Sequence, residues 1–263
     1  MSVRSMLRDL IVRSVARGPD GLRQEVIREI FRVDPDQVLA ALGPMFNREP
    51  ELDTTPFDLE PASELRFEDF AGFFASNSLN HGLIGATVRQ AAYLYGLTER
   101  LAARKAIETG RFRGGSTLLL AAAMQGKGKL WSIDIGEKEE RFRGAAAGGR
   151  RTWDEQIRSF CDRYGLDVEI IVGDSKTVEI DTGGDVDLVF IDGDHSYEGA
   201  LNDFERFGRR VRIGGVVIFD DYANETYFST PDTVGLAVDE AIKDGDYRLV
   251  KVVDRLAHLQ RVR

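Results

Sequence analysis

The sequence is poor in cysteine and histidine, with one cysteine, Cys161, and three histidines among 263 residues. A single cysteine excludes an internal disulfide and a cysteine-based metal site, and it predicts a reducing cytoplasm as the location. Basic residues are outnumbered, since 35 Lys and Arg against 44 Asp and Glu give a formal net charge of -9. Such an acidic chain disfavours nucleic acid as the main partner.

The N-terminal part lacks a long uncharged apolar run. Its first eighteen residues alternate apolar side chains with arginines, which does not fit a signal peptide or a membrane span, so no membrane partner is expected. Helical spacing across residues 1–45 predicts helices that pack or form oligomers, with an interfacial amphipathic helix as the alternative. Residues 47–64 contain three prolines and many acids, which indicates a linker or an extended segment.

From Arg104 onward, short apolar runs alternate regularly with amphipathic segments. This alternation predicts an α/β fold with helices on both faces of a sheet and right-handed crossovers. The expected strands are residues 105–108, 129–134, 168–172, 186–192, 216–220, 247–253 and 258–262. The expected helices are residues 116–124, 153–164, 197–211 and 233–243. The Arg- and Gly-rich residues 141–151 are predicted to be a loop, either a substrate lid or a solvated linker.

Three aspartates follow two of the predicted buried strands. VDLVFIDGD contains Asp192, and VVIFDD ends in Asp220 and Asp221. The carboxyl ends of parallel strands lie at one edge of the sheet, where open α/β sheets bind their ligands. Three carboxylates there are costly unless a cation or protons neutralise them. A hard divalent metal is the simplest prediction, and turn formation with helix capping is the structural alternative.

The first predicted strand runs into a glycine-rich turn, AIETGRFRGGST. Gly110 and Gly114 allow close approach of a ligand, and the helix opened by Ser116 and Thr117 attracts an anionic group. The spacing is not GxGxxG, so NAD is disfavoured. Asp134 follows Gly110 by 24 residues, close to where an acid receives ribose hydroxyls.

The third predicted strand ends in Gly173, Asp174 and Ser175, whose polar groups suit a purine edge. Glycines and aspartates at strand ends are also ordinary turn formers and helix caps. Their occurrence in order on three successive strands favours a nucleoside-binding site.

These segments resemble the class I S-adenosylmethionine-dependent methyltransferases. ETGRFRGGST resembles the first motif of that family, SIDIG its ribose-binding acid and GDS its adenine-contacting turn. FIDGDHSYEGALNDFERFGRRVRIGGVVIFDDY resembles the metal-dependent bacterial sugar O-methyltransferases, such as the macrocin, mycinamicin and noviose enzymes. The resemblance implies a Rossmann-like sheet of seven strands with the last antiparallel. It also implies an S-adenosylmethionine-binding domain over residues 101–263 and an N-terminal helical cap or oligomerisation region over residues 1–100.

The same resemblance implies S-adenosylmethionine and a divalent metal, Mg2+ by preference, as cofactors. It implies a small hydroxylated acceptor, expected to be a sugar, and a homo-oligomer. The implied cofactor-binding residues are Glu108, Gly110, Gly114, Ser116, Thr117, Asp134, Gly173, Asp174, Ser175 and Asp192. The implied metal ligands are Asp192, Asp220 and Asp221, and the implied base is His195 or Asp194.

Three alternatives stay open. Within the class, the acceptor is a catechol-like phenol instead of a sugar. Outside it, the chain is a nicotinamide-dependent oxidoreductase, which needs no trio of strand-end acids, or a non-catalytic binding protein. For Asp194 and His195 the structural alternative is capping of the helix that begins near Ser196.

Overall fold

The computed structural model describes residues 65–67, 69–70, 84–136, 152–223 and 233–263. The helices are α1 (Val88–Arg100), α2 (Gly115–Ala123), α3 (Trp153–Tyr164), α4 (Tyr197–Arg206) and α5 (Thr233–Ile242). The strands are β1 (Lys105–Thr109), β2 (Lys129–Asp134), β3 (Asp167–Val172), β4 (Val186–Ile191), β5 (Val211–Phe219), β6 (Tyr247–Val253) and β7 (Leu256–Arg261). The expectations for residues 1–64 and for the loop 141–151 lie outside the described residues.

The seven strands form one sheet in the order β3-β2-β1-β4-β5-β7-β6. Strands β1 to β5 pair in parallel, whereas β7 runs antiparallel to both of its neighbours. The predicted Rossmann-like sheet of seven strands with an antiparallel last strand is therefore confirmed. The strand order reverses between β1 and β4, and such a reversal opens a crevice at the carboxyl ends of the strands.

Two apolar layers cover the two faces of this sheet. On one face α1, α2 and α3 pack through residues such as Leu94, Leu118 and Phe160. On the other face α4 and α5 pack through Phe204 and Val238. Both faces are thus closed by helices, which leaves the carboxyl edge of the sheet as the place for a ligand. Within the described part of the chain, no helix is long and apolar enough to span a membrane.

The helix boundaries follow from local capping. Thr87 and Gln90 form a capping box at the start of α1, in which each side chain bonds to the other residue's backbone N–H. Thr152 forms a second capping box at the start of α3, and Gly165 ends that helix in the left-handed conformation. These signals explain why both helices begin where polar residues precede an apolar repeat.

Two sequence expectations about boundaries were wrong. The helix expected over residues 197–211 ends at Arg206, and a 3-10 turn, Gly208–Arg210, follows it. Strand β5 begins at Val211, five residues before its expected start. The expected strand began after the Gly-Gly pair at 214–215, whereas β5 runs through this pair with an irregular register against β4 and Gly214 at φ +80°.

Candidate active site at the carboxyl edge of the sheet

The glycine-rich turn after β1 lies directly against the loop after β4. A Cβ on Gly110 would stand 2.0 Å from the carbonyl oxygen of Asp192, and the φ of Gly110 is +87°. Only glycine satisfies both conditions. Gly193 approaches from the other side, where a Cβ would stand 3.7 Å from the Gly110 nitrogen. The packing of two turns therefore requires Gly110 independently of any ligand, which the motif alone did not reveal.

Helix α2 starts at the crevice with unblocked backbone amides. Its N-cap, Gly114, has φ +87°, and a Cβ there would stand 2.2 Å from Cδ1 of Ile157 in α3. Among the described residues, no side chain caps this N-terminus. The first amides of α2 are consequently available to an anionic ligand group.

Glu108, at the end of β1, organises this turn from inside the protein. It is fully buried and accepts hydrogen bonds from Ser116, Thr117 and Ser132 at 2.5, 2.5 and 2.6 Å. Burial raises the pKa of Glu108, although the three hydroxyls and Arg111 oppose this shift. The structure thus brings together three residues predicted to bind the cofactor, but their polar groups fix the start of α2 on the sheet.

Arg111 holds the same turn to α3. Its side chain is buried and makes two bonds to the carboxylate of Asp154, at 3.0 and 3.1 Å. It also donates to the carbonyl of Ser132 at 2.8 Å. A bidentate pair of this kind fixes geometry as well as charge, so the turn has a rigid support beneath the crevice.

Asp134 lies where the turn meets the end of β2. Its two carboxylate oxygens accept the N–H groups of Phe112 and Gly136, both at 2.8 Å. Beside it stand two exposed apolar side chains, Ile135 and Val172, which are 50% and 62% accessible. A row of exposed apolar side chains next to a strand-end acid suits a flat ring attached to a ribose. Sequence reasoning missed Ile135 and Val172, although their place directly after or at the end of a strand was a usable signal.

The turn after β3 uses its polar groups mainly for itself. Asp174 accepts the N–H of Lys176 at 2.8 Å, which closes the turn. Gly173 is restricted by packing, since a Cβ there would stand 2.6 Å from Val178. Ser175 hydrogen bonds to the buried Asp203, whose pKa is raised by burial in spite of that bond. The predicted trio therefore lies at the sheet edge, with Asp174 and Ser175 already engaged.

The three predicted acids Asp192, Asp220 and Asp221 lie together at the ends of β4 and β5, and we call this group the acid rim. The imidazole of His195 is placed among them, with Nδ1 2.8 Å from Asp221 Oδ2 and Nε2 3.4 Å from Asp192 Oδ1. The contacts with Asp192 and then Asp221 raise the pKa of His195 to about 10. At neutral pH the ring is therefore an imidazolium lying between two carboxylates.

Asp220 is the acid of the rim whose ionised form is disfavoured. Burial and then the nearby charge of Asp192 raise its pKa to about 8. Its contact with α1 is a hydrogen bond from Gln90, whose Nε2 lies 3.4 Å from Asp220 Oδ1. On the other side of the rim, Arg255 pairs with Asp221 at 2.5 Å. The acid rim thus has one arginine and one imidazolium against three carboxylates.

The chemistry of the acid rim suits a hard divalent cation, because all three donors are carboxyl groups and they outnumber the two cationic side chains beside them. Their arrangement suits it less well. His195 separates Asp192 from Asp221, and Arg255 holds the latter. In the part of the chain that the structure describes, no group of three or more His, Cys, Asp or Glu side chains is arranged to hold a metal ion. The predicted ligands therefore share one rim without converging on one point.

Asp194, the other predicted base, faces away from this group. Its Oδ1 accepts the N–H of Ser196 at 3.0 Å, and its Oδ2 pairs with Lys176 at 3.1 Å. Burial favours a higher pKa, but the bonds from Ser196 and Lys176 outweigh it and lower the pKa of Asp194. A carboxylate with a lowered pKa is a weak base. Asp194 thus bonds to the N–H of Ser196, the N-cap residue of α4, whereas the ring of His195 contacts the acid rim.

Comparisons with known proteins agree with this architecture. Residues 107–222 match a family described as a methyltransferase domain. The structure of the O-methyltransferase NovP is 20% identical with a TM-score of 0.54, over 75% of this chain and 89% of that chain. An O-methyltransferase from Bacillus cereus in complex with SAH is 19% identical with a TM-score of 0.50, over 68% and 82%. At these identities the two structures show a shared fold.

One curated relative is similar over a short segment. Uncharacterized protein R132 of Acanthamoeba polyphaga mimivirus is 49% identical over 37 residues, which are 14% of this chain and 17% of that protein. Residues 107–222 thus match a methyltransferase domain, and the seven-stranded sheet has the fold of the O-methyltransferase structures. The recognition of that class from the sequence is confirmed.

Proposed function

We propose that the protein transfers a methyl group from S-adenosylmethionine to a hydroxyl oxygen of a small acceptor, with a sugar as the expected class. The observation that carries the proposal is the position of His195 and the acid rim on the same sheet edge as Asp134. The O-methyltransferases that share the fold support oxygen as the methylated atom.

In this proposal the ends of β1, β2 and β3 bind the cofactor. Asp134 receives the ribose hydroxyls, and Ile135 and Val172 contact the purine ring, since they are exposed beside that carboxylate. The uncapped N-terminus of α2 receives the carboxylate of the methionine part. Asp134 is held by the N–H groups of Phe112 and Gly136, and the start of α2 is held by Glu108, so these parts of the site are ordered by the chain itself.

The acceptor hydroxyl lies next to His195, and this part of the site removes its proton. The hydroxyl oxygen forms a bond to the methyl carbon as the carbon–sulfur bond breaks, which leaves S-adenosylhomocysteine, and the hydroxyl proton passes to the base. With a pKa of about 10, His195 cannot accept a proton at neutral pH while both carboxylates beside it are charged. Its role as the base therefore requires the negative charge of the acid rim to be offset.

Metal dependence is the second part of the proposal. Asp192, Asp220 and Asp221 would hold the ion after Asp221 exchanges its contact with His195. A bound divalent cation would stabilise the alkoxide of the acceptor and lower the pKa of a nearby imidazole. The surplus of carboxylates at the acid rim and the raised pKa of Asp220 support this assignment. The cytoplasmic location and the homo-oligomer stay predictions.

The test has two steps. Isothermal calorimetry should detect S-adenosylmethionine binding, and NAD binding without S-adenosylmethionine binding would reverse the assignment to the oxidoreductase. Transfer of a labelled methyl group should then be measured on a panel of sugars and catechols, with Mg2+ and with EDTA. Transfer to sugars that stops in EDTA supports the full proposal. Preference for catechols would replace the acceptor class, and full activity in EDTA would remove the metal.

A further inference from the structure

The turn between β6 and β7 lies beside the acid rim, far along the sequence from both strands that carry the acids. Its Arg255 contacts the two residues Asp221 and Tyr222 after β5, each in a different way. The guanidinium nitrogen Nη1 donates to Asp221 Oδ1 at 2.5 Å, and the Arg255 carbonyl accepts the N–H of Tyr222 at 2.9 Å. One residue of the hairpin thus binds two consecutive residues after β5.

The backbone at this point is strained. Asp221 and Ala223 have φ values of +57° and +55°, in the left-handed region that side chains other than glycine disfavour. Such conformations persist only when their surroundings determine them. The two bonds from Arg255 fall within this segment, and the side chain of Asp221 is only 13% exposed. The pair therefore differs from a solvent-exposed ion pair, which contributes little.

The hairpin turn is itself fixed from a second direction. Asp254 accepts a hydrogen bond from Thr87 at 2.8 Å and pairs with Arg89 at 3.5 Å. Both partners belong to the start of α1, the helix that also supplies Gln90 to the acid rim. Arg255 therefore extends from a turn that is anchored to the opposite wall of the site.

We propose that Arg255 is a positioning residue of the acceptor site. By holding Oδ1 of Asp221, it directs Oδ2 of the same carboxylate toward Nδ1 of His195, at 2.8 Å. The role of the contact between Asp221 and His195 in turnover rests on the proposed function. The contact itself is independent of that function. Without the guanidinium, Asp221 loses a contact that orients its carboxylate, and the contact between Oδ2 and the ring of His195 should weaken.

A spectroscopic test reads the contact without any enzyme activity. The chain has three histidines, so the ring signals in a heteronuclear NMR spectrum can be assigned with a His195→Asn variant. Arg255→Ala should shift the His195 signals, and Arg255→Lys should shift them less. Arg248→Ala, which removes an exposed arginine from the same hairpin, is the matched control and should leave them unchanged. Unchanged His195 signals in Arg255→Ala would overturn the proposal.

Kinetics then test the consequence for transfer. Arg255→Ala should lower kcat roughly 10- to 100-fold, as for other residues that orient a ligand-bearing side chain, without changing S-adenosylmethionine affinity. Guanidinium ion at a non-denaturing concentration should restore part of the rate, because it replaces the missing group. If Arg255→Ala does not fold, Arg255→Lys gives the same comparison at a smaller loss. An unchanged rate in either variant overturns the positioning role. If the unmodified protein transfers no methyl group, the proposed function is contradicted, and the NMR result then decides the contact between Arg255 and Asp221.

Discussion

The two halves of the crevice differ in how completely their charges are compensated. In the cofactor half, the carboxylates of Glu108 and Asp134 accept hydrogen bonds from hydroxyl and amide groups of the chain itself. In the acceptor half, Asp220 is half-buried beside two more carboxylates, and its pKa is raised to about 8. The first half is complete without a ligand. In the second half the third acid ionises only as the pH approaches about 8, and a cation or an acceptor bound there can still contribute free energy.

The largest expected effect separates the two predicted bases. His195→Ala should lower kcat about 100- to 10,000-fold, the usual contribution of a general base. Asp194→Asn should retain most of the activity, because Asp194 caps a turn and pairs with Lys176. Steady-state rates and S-adenosylmethionine affinity should be measured for both variants. The reverse order of effects would assign the base to Asp194 and would mean that its ion pair opens during turnover.

The next effect tests the rigidity of the cofactor half. Gly110→Ala should destabilise the protein by about 4 kcal/mol or more, because a Cβ would collide with the Asp192 carbonyl. Gly165→Ala is the matched control: Gly165 also has a positive φ, +63°, but nothing lies within 4 Å of its Cβ position. The control should lose only about 1–2 kcal/mol, the cost of the left-handed conformation alone. Equal losses in denaturant unfolding would show that the two turns can separate.

A third effect measures the surplus charge of the acceptor half by its pH dependence. Because the pKa of Asp220 is raised to about 8, its proton stabilises the fold, and wild-type stability should fall as the pH rises from about 4 to about 8. Asp220→Asn lacks this titration. The variant should therefore melt at a higher temperature than the wild type above pH 8, and its advantage should shrink as the pH falls toward 4.

The control for this experiment is the addition of Mg2+ at pH 8. A cation bound at the acid rim would offset the charge of Asp220, so it should raise the melting temperature of the wild type and remove the advantage of the variant. Equal melting curves across the whole pH range would show that Asp220 is not under electrostatic strain. The charges of the acceptor half would then be compensated as fully as those of the cofactor half.

The sequence was sufficient for those features that depend on neighbours along the chain. Apolar runs predicted each described strand, although β5 starts five residues earlier than expected, and an amphipathic run predicted α3, because both patterns are read from consecutive residues. Adjacent residues with different partners were harder to separate. Asp194 and His195 are neighbours, yet one bonds to Lys176 and the other lies between Asp192 and Asp221.

Features that depend on distant residues could not be predicted. Gln90 and Asp220 are 130 positions apart, and Arg255 and Asp221 are 34 apart, so only the folded sheet brings each pair together. The bulge at Gly214 was also missed, since a glycine pair indicates a turn as readily as an irregularity in a strand. The metal prediction depends on both kinds of feature. The strand ends predicted that the acids share a rim, but the orientation of each carboxylate depends on His195 and Arg255.

The smallest expected effect returns to the cofactor half. Glu108→Gln keeps the shape of the side chain but presents an amide group to three hydroxyls, from Ser116, Thr117 and Ser132, which all point at the carboxylate. We expect a loss of about 1–3 kcal/mol in unfolding free energy, the range for an unsatisfied buried polar group, and weaker S-adenosylmethionine binding by calorimetry. The matched control is Glu155→Gln, which changes an exposed capping-box acid and should leave cofactor affinity unaltered. If Glu108→Gln binds the cofactor as tightly as the wild type, the hydroxyl network stabilises the fold without affecting cofactor binding. The packing of Gly110 and Gly114 would then be what orders the cofactor half.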